Sequence, residues 1–284
     1  MRDKCGIVER HLDPMVPIPT GVSADLTALR RPGALLFDIY GTLLISGAGE
    51  IGIDRQPPRK GGSLSSLLRR YRIDRAPVEL AAALGDAIAR DHADSRRQGT
   101  DSPEVDIVRI WREVLGADDG SRIEDFALEY ELHVNPVYPM PGLERVLSFF
   151  SSAGVPMGII SNAQFYTPVL LECIMGANLK QCGFDPDLLF FSWREGRAKP
   201  SVFMFERAKA ALRDMKIPAA TVLYVGNDML NDIRPAASVG FRTALFAGDR
   251  RSLRRREADE RCRGLLPDLI VTDLRQLIAD FDKC

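Results

Sequence analysis

The sequence predicts an α/β fold: a doubly wound parallel sheet with an inserted all-helical cap domain. Three observations carry this. Short apolar runs without polar alternation recur along the chain, as in strands buried on both faces. Amphipathic stretches separate them, as in crossover helices. One long segment, from about 63 to 133, keeps helical spacing with no strand in it.

The first run is Ala34-Leu35-Leu36-Phe37. Val155 to Ile160 is a second, Thr221 to Val225 a third, Thr243 to Phe246 a fourth and Leu269 to Val271 a short fifth. Leu188 to Phe191 is a more peripheral candidate. Between them Leu143, Val146, Leu147 and Phe150 recur helically until Gly154 stops the pattern. Val202 to Met215, Asp232 to Val239 and Leu274 to Phe281 are read as further helices. In the long helical segment, Leu64, Leu67, Leu68 and Tyr71 repeat first, then Leu80, Ala83, Leu84, Ala87 and Ile88, then Val105, Val108, Ile110, Trp111 and Val114.

These patterns divide the chain into an N-terminal extension (1–32), a core domain (33–45 and 136–284) and a helical cap (46–135). Pro14, Pro17, Pro19 and Pro32 make the extension an arm without regular structure. A chain of 284 residues is long enough for one large domain or two ordinary ones, at about 150 residues each.

Charge excludes some functions. With 38 Lys+Arg against 39 Asp+Glu, there is no basic excess of the kind that marks a general nucleic-acid binder. No uncharged run of about 18 apolar residues exists, so no membrane span is expected. Arg2, Lys4, Glu9, Arg10 and Asp13 interrupt the N-terminal region, which therefore does not read as a secretory leader. Cys5, Cys173, Cys182, Cys262 and Cys284 are odd in number and widely spaced, and signal neither a zinc site nor a disulfide framework. A cytoplasmic compartment fits that pattern.

Four short sites follow the strands or open a helix: Asp38 to Thr42, Ser161-Asn162, Lys199-Pro200, and Asn227-Asp228 with Asn231-Asp232. Each alone is ordinary turn or capping chemistry. In a parallel sheet they converge on one rim, at the carboxyl ends of the strands, where ligands bind. Asp38, Asp228 and Asp232 would then share a crevice. Two carboxylates about 4 Å apart repel by roughly 4 kcal/mol at an effective dielectric near 20. Lys199 supplies one compensating charge. A hard divalent cation, Mg²⁺, is expected to supply the rest.

Phe37-Asp38-Ile39-Tyr40-Gly41-Thr42-Leu43, Ile160-Ser161-Asn162, Lys199-Pro200 and Val225-Gly226-Asn227-Asp228 through Asp232 resemble, in order, the four motifs of the haloacid dehalogenase (HAD) superfamily. The helical insert resembles its C1-type cap, and Pro139 to Leu143 before the core helix is also typical. The resemblance implies a Rossmann-like core and a hydrolase. It makes Asp38 the nucleophile, which forms a covalent ester. Thr42 steadies the loop, Ser161 and the Asn162 amide hold transferring oxygens, and Lys199 neutralises charge. Asp228, Asp38 and the Tyr40 carbonyl bind Mg²⁺, and Asp232 orients Lys199 or a metal-bound water.

One position departs from the phosphatase pattern. Tyr40 stands where HAD phosphatases carry a second aspartate as general acid/base, and tyrosine there is familiar from 2-haloacid dehalogenases. A phenol with an ordinary pKa near 10 is a poor base at neutral pH. The Asp228/Asp232 pair points back to the magnesium-dependent members. The expectation is a Mg²⁺-dependent phosphatase of a small phosphorylated metabolite, working through an aspartyl-phosphate. The alternatives are a metal-independent dehalogenase, with an apolar halide pocket and a cap arginine, and a non-catalytic binder of a phosphorylated ligand.

Weaker features are given bland readings. Ser46 to Glu50 reads as a cap hinge or a plain turn. Arg69, Arg70 and Arg72 read as a solvated helix face. The run Arg250, Arg251, Arg254, Arg255 and Arg256 reads as a solvated helix. His11, His92 and His133 fall in no motif.

Overall fold

The structure, a computed structural model, describes residues 2–47, 63–117, 120–279 and 281. Strands β1 (Ala34–Phe37), β4 (Met157–Ser161), β5 (Phe184–Phe191), β6 (Val222–Gly226), β7 (Arg242–Phe246) and β8 (Leu269–Val271) form one sheet in the order β5-β4-β1-β6-β7-β8. Every neighbouring pair in it is parallel. β1 lies between β4 and β6, so the chain winds outward from it in both directions, and the crevice of the sheet opens at its end. The peripheral candidate 188–191 is the inner part of the edge strand β5.

Each face of β1 is covered. Leu35 and Phe37 join the core that also holds Val146, Leu147 and Phe150 of α6 (Leu143–Ser152). Ala34 and Leu36 pack with Met204, Phe205, Ala208 and Leu212 of α9 (Phe203–Asp214). All four β1 residues are buried, which is why the run lacks polar alternation.

The insert between β1 and β4 is helical: α2 (Leu64–Tyr71), α3 (Pro77–Arg97), α4 (Ile107–Leu115) and α5 (Gly120–Val134). Asp106 caps α4 by accepting from the amides of Val108 and Arg109. Trp111, Phe126 and Tyr130 meet edge to face or tilted, and with Ile110 and Ile123 they are continuous with the sheet-face core. Two short strands that the sequence reading lacks, β2 (Leu44–Ser46) and β3 (Val137–Pro139), pair antiparallel and close the base of the insert. Residues 48–50 of the hinge candidate lie outside the described residues.

Several expectations need correction. The N-terminal extension is not wholly irregular, because α1 (Arg2–His11) is a helix packed on α5 and on α7 (Tyr166–Met175). The prolines that argued for an arm all follow this helix. Cys5 of α1 and Cys173 of α7 form a disulfide, with Cα atoms 5.2 Å apart. A separation of 168 residues leaves no local spacing by which to read the pair. The Asp232–Val239 helix divides into a π-helical turn, Met229–Ile233, and α10 (Arg234–Ser238). The C-terminal helix is a 3₁₀ segment, Leu274–Ile278. The arginine run forms no helix; it is a loop that brings Arg254 and Arg256 to the wall of the crevice. Among the described residues, no helix is long and apolar enough to cross a membrane.

Candidate active site

Asp38 follows β1 directly, and its amide donates to the Val225 carbonyl of β6 at 2.9 Å. That bond sets it at the crevice beside the end of β6. After it the chain reverses at Gly41, whose φ of +84° favours glycine. A Cβ there would lie 2.4 Å from Ser252.

Lys199 is the charge centre. Its ammonium donates to Asp38 Oδ1 at 2.7 Å, Asp232 Oδ1 at 2.5 Å, the Tyr224 hydroxyl at 3.2 Å and the Ile160 carbonyl at 3.3 Å. Its side chain is 3% exposed. Burial alone would lower its pKa, but Asp232 and Asp38 more than offset this and raise it, so Lys199 stays charged. The lysine backbone is held by a reciprocal pair of bonds. Asn162 Oδ1 accepts from the Lys199 amide at 2.6 Å, and Asn162 Nδ2 donates to the Lys199 carbonyl at 3.2 Å.

Asp232 faces inward from the π-helical turn. Its Oδ2 accepts from the amides of Asn227 and Asp228, each at 3.0 Å. Gly226 makes this approach possible, because a Cβ on it would lie 2.4 Å from the Asp232 carboxyl carbon. Tyr224 donates to Asp232 Oδ1 or the Ile160 carbonyl, each at 2.9 Å. Burial, with Asp232 and Asp38 beside it, pushes that phenol well above its usual pKa, so it remains a donor.

Asp228 caps the same turn. Oδ1 accepts from the amides of Leu230 (2.8 Å) and Asn231 (3.2 Å), and Oδ2 from Asn231 Nδ2 (3.1 Å). Arg256 then grips both oxygens, Nε to Oδ1 at 3.1 Å and Nη2 to Oδ2 at 2.6 Å. Such a two-pronged pair is among the stronger hydrogen-bonded contacts in proteins. Cations of the chain itself meet the carboxylates in the crevice: Lys199 serves Asp38 and Asp232, Arg256 serves Asp228, and Arg254 on the wall is the third positive charge against three carboxylates. The repulsion that asked for a divalent ion is answered by a residue read as part of a solvated helix.

The pocket has a volume of about 180 Å³. Asp38, Tyr40, Asn162, Lys199, Asp228 and Asp232 line it, with Asn227, Asn231, Arg254 and Arg256. Thr42 stands behind the wall and donates to Asn227 Oδ1 at 3.2 Å, which ties the loop after β1 to the loop after β6. Ser161 is fully buried, with its hydroxyl 3.4 Å from the Asn162 carbonyl. Tyr40 shares a hydrogen bond of 3.0 Å with Thr167 of α7. Tyr224, Arg254 and Arg256 were not singled out for the site from sequence. Arg254 and Arg256 carried one usable signal, since they follow the carboxyl end of β7 on the rim where ligands bind. Arg69, Arg70 and Arg72 are exposed and off the pocket wall.

A family model described as haloacid dehalogenase-like hydrolase matches residues 32–240. The chain belongs to this family. It is a HAD-like hydrolase. No curated protein is significantly similar to it. Among solved structures it is similar to a 2-haloacid dehalogenase from Pseudomonas syringae pv. Tomato DC3000, with TM-score 0.56 and 20% identity over 86% of this chain and 95% of the other. It is also similar to YfnB from Bacillus subtilis, described as a HAD-hydrolase bound to magnesium, with TM-score 0.53 and 18% identity over 89% and 100%. A third, described as a predicted phosphoglycolate phosphatase from Haemophilus somnus 129pt, gives TM-score 0.50 and 15% identity over 88% and 97%. At these identities the likeness speaks to the HAD fold, which both dehalogenases and phosphatases use.

Proposed function

We propose that this HAD-like hydrolase cleaves small phosphate esters through a covalent phosphoryl ester of Asp38. The observation that carries the reading is the character of the pocket. Lys199, Arg254 and Arg256 and three asparagines surround the nucleophile, in a volume suited to a phosphoryl group. Fixed positive charges and amides aimed where negative charge develops are the main instrument of phosphoryl transfer.

In this reading Asp38 Oδ1 is held by Lys199, while Oδ2 has no hydrogen-bond partner among the described residues and attacks phosphorus. The ester P–O bond breaks and the leaving oxygen departs as its anion, which takes a proton from solvent water. Water then attacks phosphorus, the bond to Asp38 breaks, and inorganic phosphate leaves with the carboxylate restored. Lys199 holds charge in both steps, and Asp232 and Tyr224 hold Lys199. Tyr40 is turned toward Thr167, which leaves the leaving group without a strong acid. Esters with acidic leaving groups are therefore the best substrates.

A Mg²⁺ ion would need Asp38, the Tyr40 carbonyl and Asp228. That set does not fit the ion as it stands, because five donors occupy the two oxygens of Asp228. Attack on carbon in a haloacid is less well supported. It calls for an apolar halide pocket and a cap arginine, whereas the wall here is polar and, among the described residues, no cap side chain lines it.

A panel of small phosphate esters, run beside halide release from 2-chloropropionate, tests the reading. Phosphate release is expected from several esters, fastest with phenol-like leaving groups, and absent in Asp38→Asn. Chloride release without phosphate release would overturn it.

A further inference from the structure

Five donors converge on the Asp228 carboxylate, and a carboxylate offers about four lone-pair sites. Two of the donors are the backbone amides that a helix cap ordinarily satisfies, and a third is the Asn231 side-chain amide. The other two come from one guanidinium, and the polypeptide is shaped to deliver it. The Arg254 amide donates to the Asn227 carbonyl and the Met229 amide to the Arg254 carbonyl, each at 2.9 Å, so residue 254 is stitched into the loop that carries Asp228. Asn227 Nδ2 donates to the Ser252 carbonyl at 2.6 Å. Upstream, Asp249 accepts from Arg251 and from the Ile18 amide, which fixes the start of the segment. Two residues past the stitched position, Arg256 adopts a φ of +52°, a conformation uncommon for a residue with a long side chain. Left-handed backbone outside glycine persists where the surroundings hold it, and it gathers at functional sites. Here it comes with a side chain 31% exposed on a carboxylate 7% exposed.

We propose that Arg256 is the resident cation of this active site: it occupies Asp228 in the seat a divalent metal ion would need, and with Lys199 it lets the pocket take a phosphate dianion without a metal. Lys199 and Arg256 then bracket the pocket, one on Asp38 and one on Asp228. Mg²⁺ demands near-octahedral oxygen ligands and gives up its water reluctantly. It would have to expel a guanidinium that makes two hydrogen bonds and is tethered by its own loop. The second half of the proposal rests on the phosphate-ester reading. The first half concerns only Asp228 and stands apart from it.

Calorimetric titration with Mg²⁺ alone tests the seat, on the full chain and on Arg256→Ala and Arg256→Gln. Both variants keep the amide and asparagine bonds of Asp228, so the turn it caps is retained. Each variant is expected to bind Mg²⁺ at least about ten-fold more tightly than wild type, and Asp228→Ala placed in either background should remove that gain. Equal affinity in wild type and variants, or no binding in any of them, would overturn the assignment. A second titration uses inorganic phosphate with a chelator present. Wild type should bind it and Arg256→Ala at least about ten-fold more weakly. If the Mg²⁺ contrast holds and phosphate binds neither protein, the phosphate-ester reading falls while Arg256 keeps its place on Asp228.

Discussion

In the phosphate-ester reading, Tyr40 is the side chain that sets the slow step. Two residues after the nucleophile, it offers a phenol bonded to Thr167 Oγ1 at 3.0 Å, while the Gln164 amide donates to the same threonine oxygen at 3.2 Å. The phenol is built into the wall and does not serve as a free base. Water attack on the aspartyl ester should therefore be slow. With p-nitrophenyl phosphate, whose leaving group needs no acid, wild type should give a burst of about one equivalent and then a slow steady rate. Tyr40→Asp should raise that steady rate by about ten-fold or more, at the low end of the roughly 10²–10⁴-fold range for general acid/base help because the geometry is not tuned. A steady rate that stays flat or falls in a folded Tyr40→Asp protein would refute this role. The tyrosine was legible in the sequence as a missing carboxylate. Its partner was not, because Thr167 is brought to it only by the packing of α7.

At the scale of elements, α1 is the piece that the sequence hid. Its buried apolar residues are Ile7 and Val8, and its other anchors are polar or covalent. Beyond the disulfide, His11 Nε2 meets Glu129 Oε1 of α5 at 3.0 Å, and the His11 and His133 rings lie 4.6 Å apart. Arg70 and Tyr71 of α2 also bind Glu129, the latter at 3.1 Å, so one buried carboxylate gathers three helices. Burial alone would raise its pKa, but His11, Arg70 and Tyr71 more than offset this and hold it at about 2. A carboxyl held below its ordinary 4.5 adds stability above pH 4.5, and that stability is lost as the pH falls toward 2. It amounts to no more than about 3 kcal/mol, less whatever solvent screening removes at the half-exposed Arg70. Urea unfolding as a function of pH should show wild type losing stability across this window more steeply than Glu129→Gln. Parallel curves would show that the carboxylate does not tie α1 down. Strands and core helices were legible because burial imposes a period on the sequence. A helix that buries only Ile7 and Val8 and is otherwise held by a cystine and polar contacts leaves no period to read, and the histidines at 11 and 133 gave no sign of meeting.

At the scale of the molecule, the helical insert is bonded to the segment that carries Lys199. The Ala198 amide donates to the Ser102 carbonyl at 2.7 Å and the Glu104 amide to the Gly196 carbonyl at 3.2 Å. The partly buried Glu104 carboxylate accepts from Ser192 at 2.6 Å and from Gln164 at 3.0 Å. Burial raises the Glu104 pKa, against the donors of this clasp, Ser192, Val105 and Gln164, which lower it. Residues 102–105 thus join the insert to both loops that position Lys199, and the sheet presents Asp38 beneath them. The four motifs foretold that convergence in order, because strand ends in a parallel sheet must share a rim. They did not foretell that the loop after β7 would reach across and place Arg256 on Asp228, since that contact depends on a turn whose shape no local pattern specifies. The whole arrangement is read as serving one covalent event at Asp38. Wild type mixed with p-nitrophenyl phosphate, quenched in acid during the steady state and digested for mass spectrometry, tests that event directly. The expected result is a single phosphoryl adduct on the peptide that contains Asp38, and none in Asp38→Asn. Turnover without an adduct on Asp38, or an adduct carried by Asp228 or Asp232 instead, would contradict it.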